Sequence, residues 1–192
     1  MHISIKITMG ILWGILLSYW LWSGFNNKRT IQKEGLFKRI ALYWVPLGVA
    51  FFLLGPGEWF GHSLIRENFV PHSNAVGIAG LLLCFLGLLI ACRARYLLGR
   101  NWSLSVQVKQ DHELITEGPY RYVRHPIYTG ALLMYLGNAL IVGDWRGLIA
   151  VAIVFASFWY KLQKEEQWMG NNFGPQYQEY RKRTKALLPW VL

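Results

Sequence analysis

Apolar residues in this chain come in long blocks, not at the spacing of an amphipathic helix or the alternation of a half-buried strand. That is the pattern of a chain built to cross a bilayer. The first block, from Ile3 to about Phe25, has the roughly 20 residues a span needs. The second runs from Ile40 to about Phe60 and is interrupted by Pro46 and by Gly55-Pro56-Gly57, so a kink or a break near its end is expected. The third, Asn74 to Cys92, carries Gly77, Gly80 and Gly87, which would let another helix approach closely. The fourth, Pro126 to Val142, opens on a proline suited to the first helical turn. After a short turn at Gly143-Asp144-Trp145-Arg146-Gly147, the fifth runs from Leu148 to about Leu162. The last two blocks are short and predict a tight helical hairpin. From Gln163 the chain becomes charged. A helix is expected through Trp168, a break near Phe173-Gly174-Pro175, and a short helix around Gln176 to Arg183.

The predicted fold class is an all-α integral membrane protein of about five transmembrane helices. Two parts are expected: residues 1–73, holding the first two spans, and residues 74–192, holding the last three with a polar loop at 93–125 and a C-terminal segment at 163–192. The weakly charged flank before the first block, with no clear small-residue cleavage site after it, reads as a retained helix and not as a signal peptide.

Composition and charge sharpen this picture. Hydrophobic types make up 54% of the 192 residues, and the net charge is +10. The basic residues fall in the gaps between apolar blocks and not along one face, which argues against nucleic acid as a partner and for membrane lipid. Loop 26–39 carries five Lys and Arg, segment 93–125 six and residues 161–192 six, against only Lys6, Arg66 and Arg146 on the other side. The positive-inside rule places the long loop and the C-terminal segment together in the cytoplasm and the N-terminus outside. Trp20, Trp22, Trp44, Trp59, Trp145 and Trp159 lie near block ends, as an interfacial belt would. Cys84 and Cys92, two helical turns apart, cannot reach each other for a disulfide. Five scattered His and the lack of CxxC or HExxH spacing leave no metal site to expect.

Chemistry concentrates in one stretch, Asp111 to Thr129, with two Arg, two His, three Tyr and three carboxylates between apolar runs. Ionisable groups at that depth are costly unless they are paired or face a cavity. His125, Lys161, Glu165 and Glu166 are therefore candidates, with His125, Glu165 and Lys161 in catalytic roles. Arg124 and Arg181-Lys182-Arg183 read instead as contacts to lipid phosphate at the membrane surface.

The run Gly118-Pro119-Tyr120-Arg121-Tyr122-Val123-Arg124-His125-Pro126-Ile127-Tyr128-Thr129-Gly130 resembles the signature of isoprenylcysteine carboxyl methyltransferases and their prokaryotic relatives. Glu165-Glu166, Phe173-Gly174, Tyr177, Tyr180 and Leu188-Pro189 follow in the order of that signature, and Asn101-Trp102, Gln107 and His112-Glu113-Leu114-Ile115 precede it. The resemblance covers about residues 95 to 190. It implies S-adenosyl-L-methionine as methyl donor, S-adenosyl-L-homocysteine as product, and a cytoplasmic pocket capped by the C-terminal segment. Carried over position by position, it implies cofactor contacts from Gln107, His112, Glu113, Leu114, Ile115, Tyr120, His125, Pro126, Ile127, Tyr128 and Glu165. It also implies a lipophilic or lipidated acceptor that enters from the bilayer, and residence in a prokaryotic inner membrane. One position departs from the pattern. Lys161 stands where the eukaryotic members carry an Arg associated with the acceptor, which keeps the charge and loses the bidentate fork. Other readings are a phospholipid N-methyltransferase, a sterol-reductase-like enzyme using NADPH, and a membrane scaffold without activity.

Overall fold

The computed structural model describes residues 2–24, 30–33, 35–99, 107–109 and 113–189. Four helices are long and apolar enough to cross a membrane: Ile3–Gly24, Leu36–Leu53, Asn74–Leu98 and Trp145–Arg183. A shorter apolar helix, Pro126–Val142, makes a fifth. In chain order these are α1 (Ile3–Gly24), then α2 (Leu36–Arg39) and α3 (Val45–Leu53) joined by a π-helical stretch at Ile40–Trp44, then α4 (Asn74–Leu98), α5 (Pro126–Val142) and α6 (Trp145–Arg183). The largely helical integral-membrane fold expected from the sequence is the one observed, with four helices of spanning length and one shorter apolar helix where five spans were expected.

Hydrogen bonds assign the ends of α1, α4 and α5 to the two ends of the bundle. At one end the His2 N–H donates to Asn74 Oδ1, and the His72 ring nitrogen Nε2 sits 2.7 Å from the Val142 carbonyl. At the other end Arg95 Nη2 donates to the Ser23 carbonyl, and the Tyr120 hydroxyl donates to the Ala94 carbonyl. Strand β1 (Thr30–Lys33) pairs antiparallel with β2 (Gln107–Lys109), with an irregularity in register between Thr30 and Gln32. This small ribbon was not anticipated. It ties the first polar loop to the long one, so these two basic segments share one end of the molecule.

The bundle is apolar outside as well as inside. On α1, Ile5, Met9, Leu12, Trp13 and Leu16 face the core, while Ile3, Ile7 and Ile11 on the same helix are more than half exposed. In water such a face would associate; in lipid it is the solvated surface. Trp13 meets Tyr135 and Phe51 edge-on at 5.0 and 5.2 Å between ring centres, an arrangement favoured by the aromatic quadrupole. Helices α4 and α5 touch backbone to backbone. A Cβ placed on Gly80 would lie 2.5 Å from the Gly137 carbonyl oxygen, and one on Gly130 2.5 Å from that of Gly87. Between lipid-soluble helices, packing of this closeness replaces the hydrophobic drive that water supplies elsewhere.

Three departures from the expected boundaries have physical causes. Helix α4 continues past Cys92 to Leu98, where the buried Arg95 is accommodated by bonds from its two terminal guanidinium nitrogens to the carbonyls of Gly99 and Ser23. The second span ends at Leu53 and not near Phe60, since Gly55-Pro56-Gly57 breaks it there and a 3₁₀ turn, Gly57–Phe60, follows. Its irregularity is a π-helical stretch, Ile40–Trp44, just before Pro46. Pro46 has no N–H to offer the Leu42 carbonyl four residues back; that carbonyl accepts a 2.8 Å bond from the Ser157 hydroxyl on α6.

Opposite the polar end, Arg146 and Asp144 form a buried pair at 2.7 Å. Arg146 also donates to the carbonyls of Leu53 and Gly55 and lies 4.7 Å over the Phe60 ring. The guanidinium fork fixes the end of α3 against the α5–α6 turn.

Candidate functional site

The expected break in the last helix is present. Helical geometry in α6 is interrupted at Gly174, at φ 48° and ψ −125°, a conformation that only glycine adopts without strain, and Pro175 follows. The bend turns the last stretch of α6 back over the long loop, where the Tyr180 hydroxyl donates 2.6 Å to the Tyr120 carbonyl.

The chain after α6 then runs alongside the motif. The Arg124 N–H donates to the Lys185 carbonyl at 2.8 Å and the His125 N–H to the Ala186 carbonyl at 3.0 Å, in a parallel bridge between Val123 and Lys185. The Thr129 hydroxyl adds a 2.7 Å bond to the Leu187 carbonyl. The motif is thus clamped by the C-terminal segment. His125 precedes Pro126, which opens α5, so the imidazole stands where that span leaves the membrane.

Adjacent residues on a helix point about 100° apart, and the Glu165-Glu166 pair uses that divergence. Glu165 turns toward α5, where the Tyr128 hydroxyl donates to its Oε1 at 2.7 Å and Lys161 Nζ, one turn earlier, lies 3.9 Å away. Glu166 turns toward the loop. Arg124 Nε donates to its Oε1 at 2.7 Å, and Arg181 Nε is 3.5 Å from its Oε2. His125 bridges the two, with Nδ1 at 3.5 Å from Glu165 and Nε2 at 3.4 Å from Glu166. Burial pushes the imidazole pKa down, and hydrogen bonding and attraction to the two carboxylates outweigh it, so His125 titrates above its ordinary range. Both ring nitrogens face acceptors, the environment of an imidazolium.

Aromatic rings frame this charge. His125 stacks on Tyr128, with centres 5.5 Å apart and planes 12° apart, and Tyr128 stacks on Phe158 at 4.8 Å. Lys161 Nζ lies 5.3 Å from the Tyr128 ring centre and 5.4 Å from that of Tyr43. Tyr43 sits in the π-helical stretch before Pro46, a type of irregularity frequent at functional sites.

Of the sequence candidates, the structure brings together His125, Tyr128, Lys161 and Glu165. Pro126 is buried at the start of α5, and Ile127 packs beside Tyr128 against Leu162, Ala186 and Leu187. Tyr120 is buried one layer back, with its hydroxyl toward α4. Glu113 is exposed and Leu114 and Ile115 half-buried, in chain without regular structure. Gln107 lies on β2, and His112 is outside the described residues. Among the described residues no group of three or more His, Cys, Asp or Glu is arranged to hold a metal ion.

Two contributors escaped the sequence reading. Arg124 is held within the protein: its side chain is 9% exposed, bonded to Glu166 and to the carbonyls of Arg181 and Thr184. Its place two residues before Pro126, inside the motif, was the available signal. Tyr43 had none, because it belongs to an apolar block remote in sequence.

Comparison with known proteins places the chain in a family. Residues 76–176, more than half of the chain, match the family model described as phospholipid methyltransferase. Protein-S-isoprenylcysteine O-methyltransferase of Schizosaccharomyces pombe is 26% identical over 191 residues, covering 92% of this chain and 79% of the relative. Enzyme B of that name from Arabidopsis thaliana is 31% identical over 115 residues, 58% of each chain, and the human enzyme is 29% identical, covering 91% of this chain and 61% of its own. The chain therefore spans about three fifths of the length of several relatives it matches. A solved structure of a eukaryotic intramembrane isoprenylcysteine carboxyl methyltransferase superposes with a TM-score of 0.54 at 23% identity, over 78% of this chain and 52% of that one, which is a likeness of fold.

The protein is an integral-membrane methyltransferase. The chain belongs to the phospholipid methyltransferase family, and its curated relatives bear out the resemblance that the motif carries to isoprenylcysteine carboxyl methyltransferases.

Proposed function

We propose that this protein transfers a methyl group from S-adenosyl-L-methionine to the carboxylate of a lipidated acceptor, an S-isoprenylated cysteine being the acceptor class its relatives' names point to. The observation that carries the reading is the grouping of Lys161, Tyr128, Glu165 and His125 where two apolar spans leave the membrane. Lys161 offers a cation for the acceptor carboxylate, with the rings of Tyr43 and Tyr128 setting the ammonium. A carboxylate carries no proton to remove, so the reaction asks for positioning and exclusion of water more than for a base.

The donor set suits a ligand with a carboxylate, an amine, ribose hydroxyls, an adenine and a sulfonium. Glu165 accepts from an amine or hydroxyl, and the His125–Tyr128 stack offers a flat wall. The bound cofactor supplies an electrophilic methyl on sulfur with a neutral leaving group. Gln107, the run His112 to Ile115, Tyr120 and the run His125 to Tyr128 complete the proposed contacts, with Glu165. In this reading the N-terminus lies outside, the site lies at the cytoplasmic face of a prokaryotic inner membrane, and residues 74–192 form the methyltransferase core.

The matched family model favours one alternative, an amine on a phospholipid headgroup. An amine must lose a proton, and Glu165 is a weak base while Tyr128, Lys161 and His125 all favour its charged form. The test is methyl transfer from labelled S-adenosyl-L-methionine by the full chain in lipid nanodiscs, offered either an S-isoprenylated cysteine or phosphatidylethanolamine. Label in a base-labile ester supports the carboxylate reading; label in the phospholipid amine overturns it.

A further inference from the structure

Beside the Val123–Lys185 bridge, a cleft of about 370 Å³ opens between the motif, the end of α6 and the segment that follows it. Its lining holds six cations, Arg121, Arg124, Arg181, Lys182, Arg183 and Lys185, and no carboxylate. We propose that this cleft is a binding site for the phosphate-bearing headgroup of an anionic phospholipid. The inference does not depend on the acceptor or on the methyl-transfer chemistry.

Basic residues near a membrane are expected on orientation grounds alone, and charges that only set orientation need no architecture. These have one. Arg124 is nine-tenths buried and held by Glu166 and by the Thr184 and Arg181 carbonyls. Thr184 is buried and its hydroxyl donates 2.8 Å to the Tyr180 carbonyl, which fixes the wall. The remaining positive charge is crowded. Glu166, behind the cleft, offsets Arg124 and Arg181, and Glu179 lies 3.4 Å from Lys182, which leaves Arg121, Arg183 and Lys185 with no carboxylate among the ion pairs of the described residues. Like charges gathered in one cleft repel unless an anion joins them.

The level of the cleft selects a lipid. Arg124 lies two residues before Pro126, the first residue of an apolar span, so the cleft opens where headgroup phosphates lie. Tyr122, 58% exposed, and Pro189 give it a lip that suits the glycerol end of such a lipid. Arginine forks match phosphate oxygens in geometry as well as charge.

The test uses the full chain in detergent micelles doped with phosphatidylglycerol or phosphatidylcholine, with retained lipid counted by native mass spectrometry. The wild-type protein is expected to retain phosphatidylglycerol in preference to phosphatidylcholine. Arg121→Gln/Arg183→Gln/Lys185→Gln is expected to lose that preference by about a hundredfold, near the summed effect of three basic residues on anionic lipid. Lys38→Gln/Arg93→Gln/Lys164→Gln removes the same charge from residues that do not line the cleft and is expected to keep the preference. Should the first triple variant not fold, Arg183→Gln and Lys185→Gln singly are each expected to cost about fivefold. Equal losses in both triple variants would reduce the cleft to diffuse surface attraction. Displacement of phosphatidylglycerol by millimolar inorganic phosphate would make it a soluble-anion site. Either result overturns the proposal.

Discussion

The Tyr128 hydroxyl donates a 2.7 Å hydrogen bond to Glu165, joining α5 to α6 at the point where both leave the apolar layer. Because the same tyrosine stacks on His125 and lies over Lys161, one side chain sets three of the groups around it. Tyr128→Phe keeps the stack and removes the bond. It is expected to lower stability by about 1.5–3 kcal/mol, the range for a hydrogen bond to a charged group, read as a drop in thermal midpoint in detergent. Binding of S-adenosyl-L-homocysteine should weaken with it in calorimetry, and unchanged binding would separate Tyr128 from the cofactor.

Arg124 and Glu166 form a pair whose side chains are 9% and 7% exposed. Removing one partner of a buried pair strands the other, and costs about 3–5 kcal/mol. Arg124→Met and Glu166→Met are each expected to destabilise by that order, and the double variant by less than the sum. Additive losses in the thermal midpoints would show that the pair is not coupled.

His125 titrates above the ordinary value of 6.5 in the folded protein. A raised folded pKa means that the stabilisation is fully present below that ordinary value and is lost as pH climbs through the raised one. The thermal midpoint should therefore hold in mild acid and decline above neutrality. His125→Gln should flatten that decline, and a wild-type midpoint insensitive to alkali would remove the charged imidazole from the site.

Lys161 lies between Tyr43 and Tyr128. If it receives the acceptor carboxylate, Lys161→Met should raise KM for the acceptor far more than it weakens S-adenosyl-L-homocysteine. Tyr43→Leu should do the same more mildly, in proportion to a cation–π contact of about 0.5–2 kcal/mol. A loss confined to kcat, or to cofactor affinity, would move Lys161 to another role.

Gly130 lies against Gly87 so closely that a new Cβ meets backbone, not a yielding side chain. Gly130→Ala is expected to cost about 1–3 kcal/mol by overpacking, and Gly130→Leu to prevent purification of folded protein. An unchanged midpoint for Gly130→Ala would mean that α4 and α5 can separate without cost.

Much of this was legible in the sequence because a bilayer makes simple demands. The close approach at Gly80 and Gly87, Pro126 at a helix start and the Gly174-Pro175 break each follow from one local rule, and each stands where expected. The cluster was half legible. His125, Tyr128 and Glu165 share a motif whose residue types announce chemistry. The partners of Arg124 lie 42 or more residues away in the chain, so sequence offered the lipid surface as the nearest anion.

By itself the sequence determined that this chain is an integral-membrane helical protein, and its motif carried the resemblance to membrane methyltransferases. Hydrophobic length and charge asymmetry are properties of segments, and segments can be read one at a time. Only the tertiary structure decided which carboxylate each cation meets. Glu165 and Glu166 are neighbours in sequence, but the helix sends them about 100° apart, one to Lys161 and Tyr128 and the other to Arg124 and Arg181, with His125 between them. Tyr43 joins through the π-helical turn before Pro46, a consequence of packing α3 against α6 that no local pattern contains.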